Sequence, residues 1–176
     1  VWILRPLKGI DSDMVNTLKS SFQQEYDADK LEIIFCVQDP NDPCIPIVEK
    51  LIQDHPHIDS RLLIDTIDTP TTEWYGPNPK INNLAKGYKN AKYDTIWVMD
   101  SNVWSRKDTL KRSIYSLMNN ISNNSTFVSP LNKRVKMITH IPLAWAESNG
   151  NEMKNWGAFL DLSLIHISEP TRQAEI

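Results

Sequence analysis

The chain has 176 residues, 40% hydrophobic and 23% charged, enough for one domain with a real core, which excludes disorder along the whole length. A net charge of −3 argues against a broad nucleic-acid-binding face, because phosphate neutralisation needs a surplus of Lys and Arg. Two cysteines, Cys36 and Cys44, cannot build a disulfide framework and suit a reducing compartment, and no apolar run approaches the roughly 20 residues of a membrane span.

Val1-Trp2-Ile3-Leu4 reads as a strand already under way, with neither an initiator Met nor a signal-peptide pattern before it, so the chain is expected to be cut here. Asp11 or Ser12 can cap a helix in which Met14, Leu18 and Phe22 recur at four-residue spacing. Leu31 to Val37 is rich in β-branched and aromatic residues and ends at the dense turn signal Gln38 to Pro43. Ile47, Val48, Leu51 and Ile52 give the next helix its apolar stripe, and Arg61 to Ile64 is a third strand. Asp65 to Asn78 lacks periodicity and is read as a long loop of the kind that often carries function.

Ile81 to Ala91 is expected to be helical, with Leu84, Tyr88 and Ala91 on one face. Thr95 to Met99 is a strong strand whose near-continuous apolar run suggests burial on both faces. Lys107 to Asn119 follows as a helix with Leu110, Ile114 and Leu117 inward, then a polar break and a last strand over Val135 to Leu143. Leu162 to Arg172 resembles the translation of a transposase adapter used in sequencing libraries. Residues 162–176 are therefore expected to be a non-native tail, and residues 1–161 a partial domain. The alternation of strands and helices predicts an α/β fold, a mostly parallel sheet with helices on both faces.

In such sheets ligands bind at the carboxyl ends of the strands. Four segments stand there. Arg5-Pro6-Leu7-Lys8-Gly9 follows the first strand: Pro6 stiffens the turn and Gly9 allows close backbone approach, or the segment is an ordinary turn. Asp39 after the second strand can accept hydrogen bonds from a base or sugar, or simply form the turn before Pro40. Lys80 opens a helix after Pro77-Asn78-Pro79, where a cation and free backbone N–H groups suit a diphosphate, unless it is a surface lysine. Asp100, ending the apolar strand, could hold a hard divalent cation with help from Asn102, or cap the next turn. His55 and His57 read as solvent-exposed, and Cys36 as a buried small hydrophobe. Neither a Gly-rich phosphate loop nor a nucleophile-elbow serine is present.

In their fixed order, Arg5-Pro6-Leu7-Lys8-Gly9, Cys36-Val37-Gln38-Asp39, Gly76 to Leu84 and Ile96 to Asn102 closely resemble the ceramide glucosyltransferases, family-2-like GT-A glycosyltransferases, in their fungal branch. Thr139-His140-Ile141-Pro142-Leu143 resembles their His-x-x-Pro strand. The resemblance implies glucose transfer from UDP-glucose to the primary hydroxyl of ceramide, with inversion. It implies that Arg5, Pro6, Leu7 and Lys8 border the uridine, that Asp39 contacts the nucleotide, and that Lys80 lies near the diphosphate. Asp100 would match the second family aspartate, with Asn102 where other GT-A enzymes carry a second carboxylate, and Mg²⁺ or Mn²⁺ as the ion. The family's general-base aspartate is not found before Asp161, which implies an inactive fragment. The implied setting is the Golgi membrane with the catalytic face in the cytosol, held by spans this chain lacks. The alternatives are another GT-A lipid-linked or polysaccharide synthase, and a non-catalytic α/β nucleotide-binding module.

Overall fold

A computed structural model describes residues 1–64, 75–90, 92–119 and 137–140. The elements run β1 (Trp2–Leu7), α1 (Met14–Phe22), β2 (Glu32–Val37), α2 (Ile45–Asp54), β3 (Asp59–Ile64), α3 (Pro79–Lys89), β4 (Ile96–Val98) and α4 (Thr109–Asn119). Val1–Ile138 is one compact unit, and Thr139–Ile176 forms a second, of which only residues 139 and 140 are described. Residues 137–140 are irregular where a strand was expected; the rest of Val135 to Leu143 and the tail 162–176 lie outside the described residues.

The four strands pair in the order β3-β2-β1-β4, all parallel, with Trp2 opposite both Glu32 and Ile96. Every residue of β1 and β2 is buried, as central parallel strands require. Side chains alternate between faces, so Ile3, Leu7, Ile33, Phe35 and Val37 meet Met14, Leu18 and Phe22 of α1, Val48 and Leu51 of α2, and Leu110 and Ile114 of α4. Each fully buried side chain of this kind is worth about 1.5–3 kcal/mol. Trp2, Leu4, Ile34 and Cys36 occupy the opposite face, with Leu84 of α3 against them.

Gly87 explains how closely α3 approaches. A Cβ there would lie 2.6 Å from Leu4 Cδ2 and 2.8 Å from Cys36 Sγ. The helix buries Asn83 and Gly87, not the expected Leu84–Tyr88 face; Leu84 is half-buried and Tyr88 is 66% exposed. The missing side chain lets the backbone, rather than a bulky stripe, settle on the sheet. Ala91 lies outside the described residues.

Three further expectations change. β4 is three residues long at the margin of the described sheet, and Val98 is 48% exposed, so its apolar run does not mark burial on both faces. At α1, neither Asp11 nor Ser12 caps: Asp13 precedes the helix in the left-handed conformation at φ 59°, without a side-chain cap. His55 is half-buried and stacks on Phe22 at 4.5 Å, with its Nδ1 2.8 Å from the Leu51 carbonyl, while His57 is exposed.

Candidate functional site

Because all four strands run the same way, the turns after β1, β2 and β4 gather at one edge of the sheet. Pro6 and Leu7 are buried within β1, opposite Cys36 and Val37, and Lys8 is the first exposed residue after them. Arg5, which the resemblance sets with Lys8 beside the uridine, is wholly buried. Its guanidinium instead donates to the Asp100 carbonyl at 2.6 Å and the Val103 carbonyl at 2.9 Å. Burial lowers the Arg5 pKa to about 10, against the partial support of the Asp100 charge.

Gly9 adopts φ +69°, a conformation that favours glycine. Its N–H is not left for a ligand: it donates to both carboxylate oxygens of Asp42, at 2.8 and 3.1 Å. Asp42 also accepts from the Cys44 N–H at 2.9 Å. One buried carboxylate thus joins the turn after β1 to the turn after β2. Burial opposes its charge, but the hydrogen bonds from Cys44 and Gly9 outweigh this and hold the carboxyl below its usual range. Asp39 stands exposed on the same turn, where its Oδ1 accepts from the Asn41 N–H at 2.8 Å. The turn-forming and ligand-facing readings of Asp39 are compatible, since one carboxylate has two oxygens.

The third contribution comes from α3. Asn78 caps it, accepting from the Lys80 N–H at 3.0 Å, with Pro79 in the first turn, where its missing donor costs nothing. Asn83 Nδ2 donates to the Cys36 carbonyl at 2.7 Å, and Lys86 Nζ to the Val37 carbonyl at 3.0 Å. Both bonds tie α3 to the end of β2. With the helix so held, Lys80 Nζ reaches Asp100 Oδ1 at 2.5 Å, both side chains about half exposed. Asn102 is exposed two residues further on.

Lys80 and Asp100 therefore meet directly. Asp39 follows β2 and Asp100 follows β4, with only β1 between them in the sheet; β4 ends opposite Leu4 and β2 opposite Leu7, so the two turns are also staggered along the strands. They share an edge rather than opposite margins. Among the described residues no cluster of three or more His, Cys, Asp or Glu could hold a metal. The donor set that is present, one half-exposed carboxylate and a nearby amide, fits a hard cation that draws its remaining ligands from phosphate and water.

Asp42, Asn83, Lys86 and Gly87 escape the sequence reading. Asn83 and Lys86 stand three apart on α3, but nothing local says that they meet the last carbonyls of β2.

Solved structures share this fold. The mannosyltransferase PcManGT from Pyrobaculum calidifontis, in complex with GDP-Man and Mn²⁺, matches with a TM-score of 0.51 and 21% identity over 64% of this chain and 30% of that one. TarS 1–349 of S. aureus in complex with UDP-GlcNAc matches with a TM-score of 0.51 and 21% identity over 68% and 31%. The architecture is that of the GT-A glycosyltransferases. Residues 1–136 match the model of Glycosyl transferase family 21, and the chain belongs to that family. It is 45% identical to the ceramide glucosyltransferase of Candida albicans over 96% of this chain and 31% of that protein. It is 44% identical to the one of Komagataella phaffii over 96% and 33%. The chain thus spans about a third of the length of these relatives. Among the described residues no helix is long and apolar enough to cross a membrane.

Proposed function

We propose that this chain forms the donor-binding part of the GT-A domain of a ceramide glucosyltransferase, gripping UDP-glucose along the edge that carries Asp39, Lys80 and Asp100. The carrying observation is the Lys80–Asp100 contact at 2.5 Å, one strand beyond the turn of Lys8 and two beyond that of Asp39. Asp39 hydrogen-bonds the nucleoside, with Pro6 and Leu7 backing it and Lys8 beside it. Lys80 turns from Asp100 toward the diphosphate and stabilises the charge that builds on the departing UDP. Asp100 and Asn102 would hold Mg²⁺ or Mn²⁺, which supplies further neutralisation of that diphosphate when bound. Such preorganised electrostatic contributions are commonly worth a few kcal/mol.

The acceptor is the primary hydroxyl of ceramide, which attacks the anomeric carbon with inversion while a positioned base removes its proton. Residues 1–161 carry no match to that family base, and on this reading they bind donor without transferring glucose. The setting is the cytosolic face of the Golgi membrane. The shared edge of Asp39 and Asp100 favours this reading over a non-catalytic nucleotide module.

Calorimetric titration with UDP-glucose and Mn²⁺ tests it. Asp100→Asn and Lys80→Gln should each weaken binding about tenfold or more, the scale of a charge-assisted hydrogen bond. UDP-GlcNAc and GDP-mannose should bind less tightly than UDP-glucose. Unchanged affinity in both variants refutes the donor site, and glucosylceramide formation by this chain refutes its inactivity.

A further inference from the structure

The helix α1 has a second buried face that its apolar stripe does not explain. Thr17, Ser20 and Ser21 stand at i, i+3 and i+4, Gln24 follows just past the helix end, and all four are buried. Buried hydroxyls and amides need partners, and most of these find them on the segment after β4. Thr17 Oγ1 donates to the Ser101 carbonyl at 2.9 Å, and Ser20 Oγ accepts from the Ser105 N–H at 3.2 Å. Gln24 Nε2 donates to Ser105 Oγ at 2.9 Å and to the Arg106 carbonyl at 3.0 Å.

Arg5 fills the space between β1, α1 and that segment. It donates to Ser21 Oγ at 3.0 Å, to the Thr17 carbonyl at 2.6 Å, and to the carbonyls of Asp100 and Val103. These acceptors are all neutral oxygens, an expensive setting for a buried charge unless its fork is well satisfied. A second anchor comes from the β1 turn, where Asp11 Oδ2 accepts from Ser101 Oγ at 2.5 Å.

The consequence is visible in exposure. Asp100, Asn102 and Trp104 face solvent, while Ser101, Val103 and Ser105 are partly or fully buried against this polar layer. A slip of one residue would turn the Asp100 carboxylate and the Asn102 amide inward.

We infer that Arg5 is a positioning residue of the donor site: through the backbone of residues 100–105 it sets where Asp100 and Asn102 stand. This rests on the donor-site reading above. It differs from the expected place of Arg5 beside the uridine, because Arg5 acts from beneath the turn without touching the ligand.

The test uses this chain with Arg5→Met, which keeps the apolar stem, Arg5→Lys, which keeps the charge without the fork, Ser101→Ala and Asp100→Asn. Amide exchange at Val103 and Ser105 should quicken about tenfold in Arg5→Met while β2 is unchanged, and Arg5→Lys should recover it only in part. UDP-glucose affinity with Mn²⁺ should fall about tenfold, while uridine, which does not reach Asp100, changes less than about twofold. Unchanged exchange at those amides overturns the inference, and so does equal weakening of UDP-glucose and uridine, which marks general damage. If Arg5→Met does not fold, Ser101→Ala must give the same pattern at about threefold, and its absence overturns the inference equally. If exchange quickens but Asp100→Asn binds UDP-glucose normally, the donor-site reading falls while the anchoring of the turn stands.

Discussion

Asp42→Ala removes the joint between the turns after β1 and β2. The wild-type carboxylate, 8% exposed, satisfies two backbone donors, Gly9 N–H at 2.8 Å and Cys44 N–H at 2.9 Å. A hydrogen bond to a charged group contributes about 1.5–3 kcal/mol, and the half-buried Gly9 recovers part of that from water. The expected loss is about 2–4 kcal/mol, with Asp42→Asn intermediate because one amide oxygen still accepts. Urea unfolding followed by circular dichroism reads it as a lower midpoint at unchanged slope. The pH dependence carries an independent check. The folded carboxyl lies below its unfolded value, so its contribution is present above about pH 4 and disappears as pH falls through the folded value. Asp42→Asn should flatten the acid limb of the stability curve. A loss under about 0.5 kcal/mol, or an unchanged acid limb, refutes the reasoning.

Gly87→Ala should destabilise although alanine favours helices. The gain of about 1 kcal/mol in propensity is met by overpacking of about 1–3 kcal/mol against Leu4 and Cys36. Because α3 carries Lys80, UDP-glucose affinity should fall with the melting temperature; a variant as stable as the parent contradicts the close packing. The Cys44 thiol is pushed up to about 12 by burial and by its neighbour Asp42, so iodoacetamide at pH 8.5 should leave it unlabelled until urea is added. Its folded value lies above the unfolded one, so the associated stability holds below about pH 8.5 and declines as pH rises beyond it, measurable in the same urea titrations.

Strands and apolar helix stripes were legible because they are local. Ile33 to Val37 and the Met14–Leu18–Phe22 stripe pack as their spacing demands. β4 misleads because Ile96 to Met99 records strand propensity, while burial depends on what lies beside it in the sheet. α3 misleads because a glycine and an asparagine make its closest contact, leaving Tyr88 in solvent. At the candidate site, Lys80 and Asp100 could be singled out as chain positions, and their contact across 20 residues follows from the helix start meeting the sheet edge. Arg5 could not be placed: two of its three carbonyl partners lie 95 and 98 residues away. Thr17, Ser20 and Ser21 did carry a signal, a small polar stripe at helical spacing beside an apolar one, which marks a helix buried on two sides. Asp42 was hidden among turn formers, since an aspartate in a turn reads the same whether it serves its own loop or a neighbouring one.

The Gly9–Asp42 bond also gives the edge a direction. With its amide committed to a carboxylate, the first turn offers an approaching anion no Gly9 N–H and a nearby negative charge instead. The ammonium of Lys80 stands on the other flank, beyond β1. If the donor lies along this edge as proposed, the committed Gly9 amide leaves its diphosphate to the Lys80 flank and its nucleoside to the Asp42 flank.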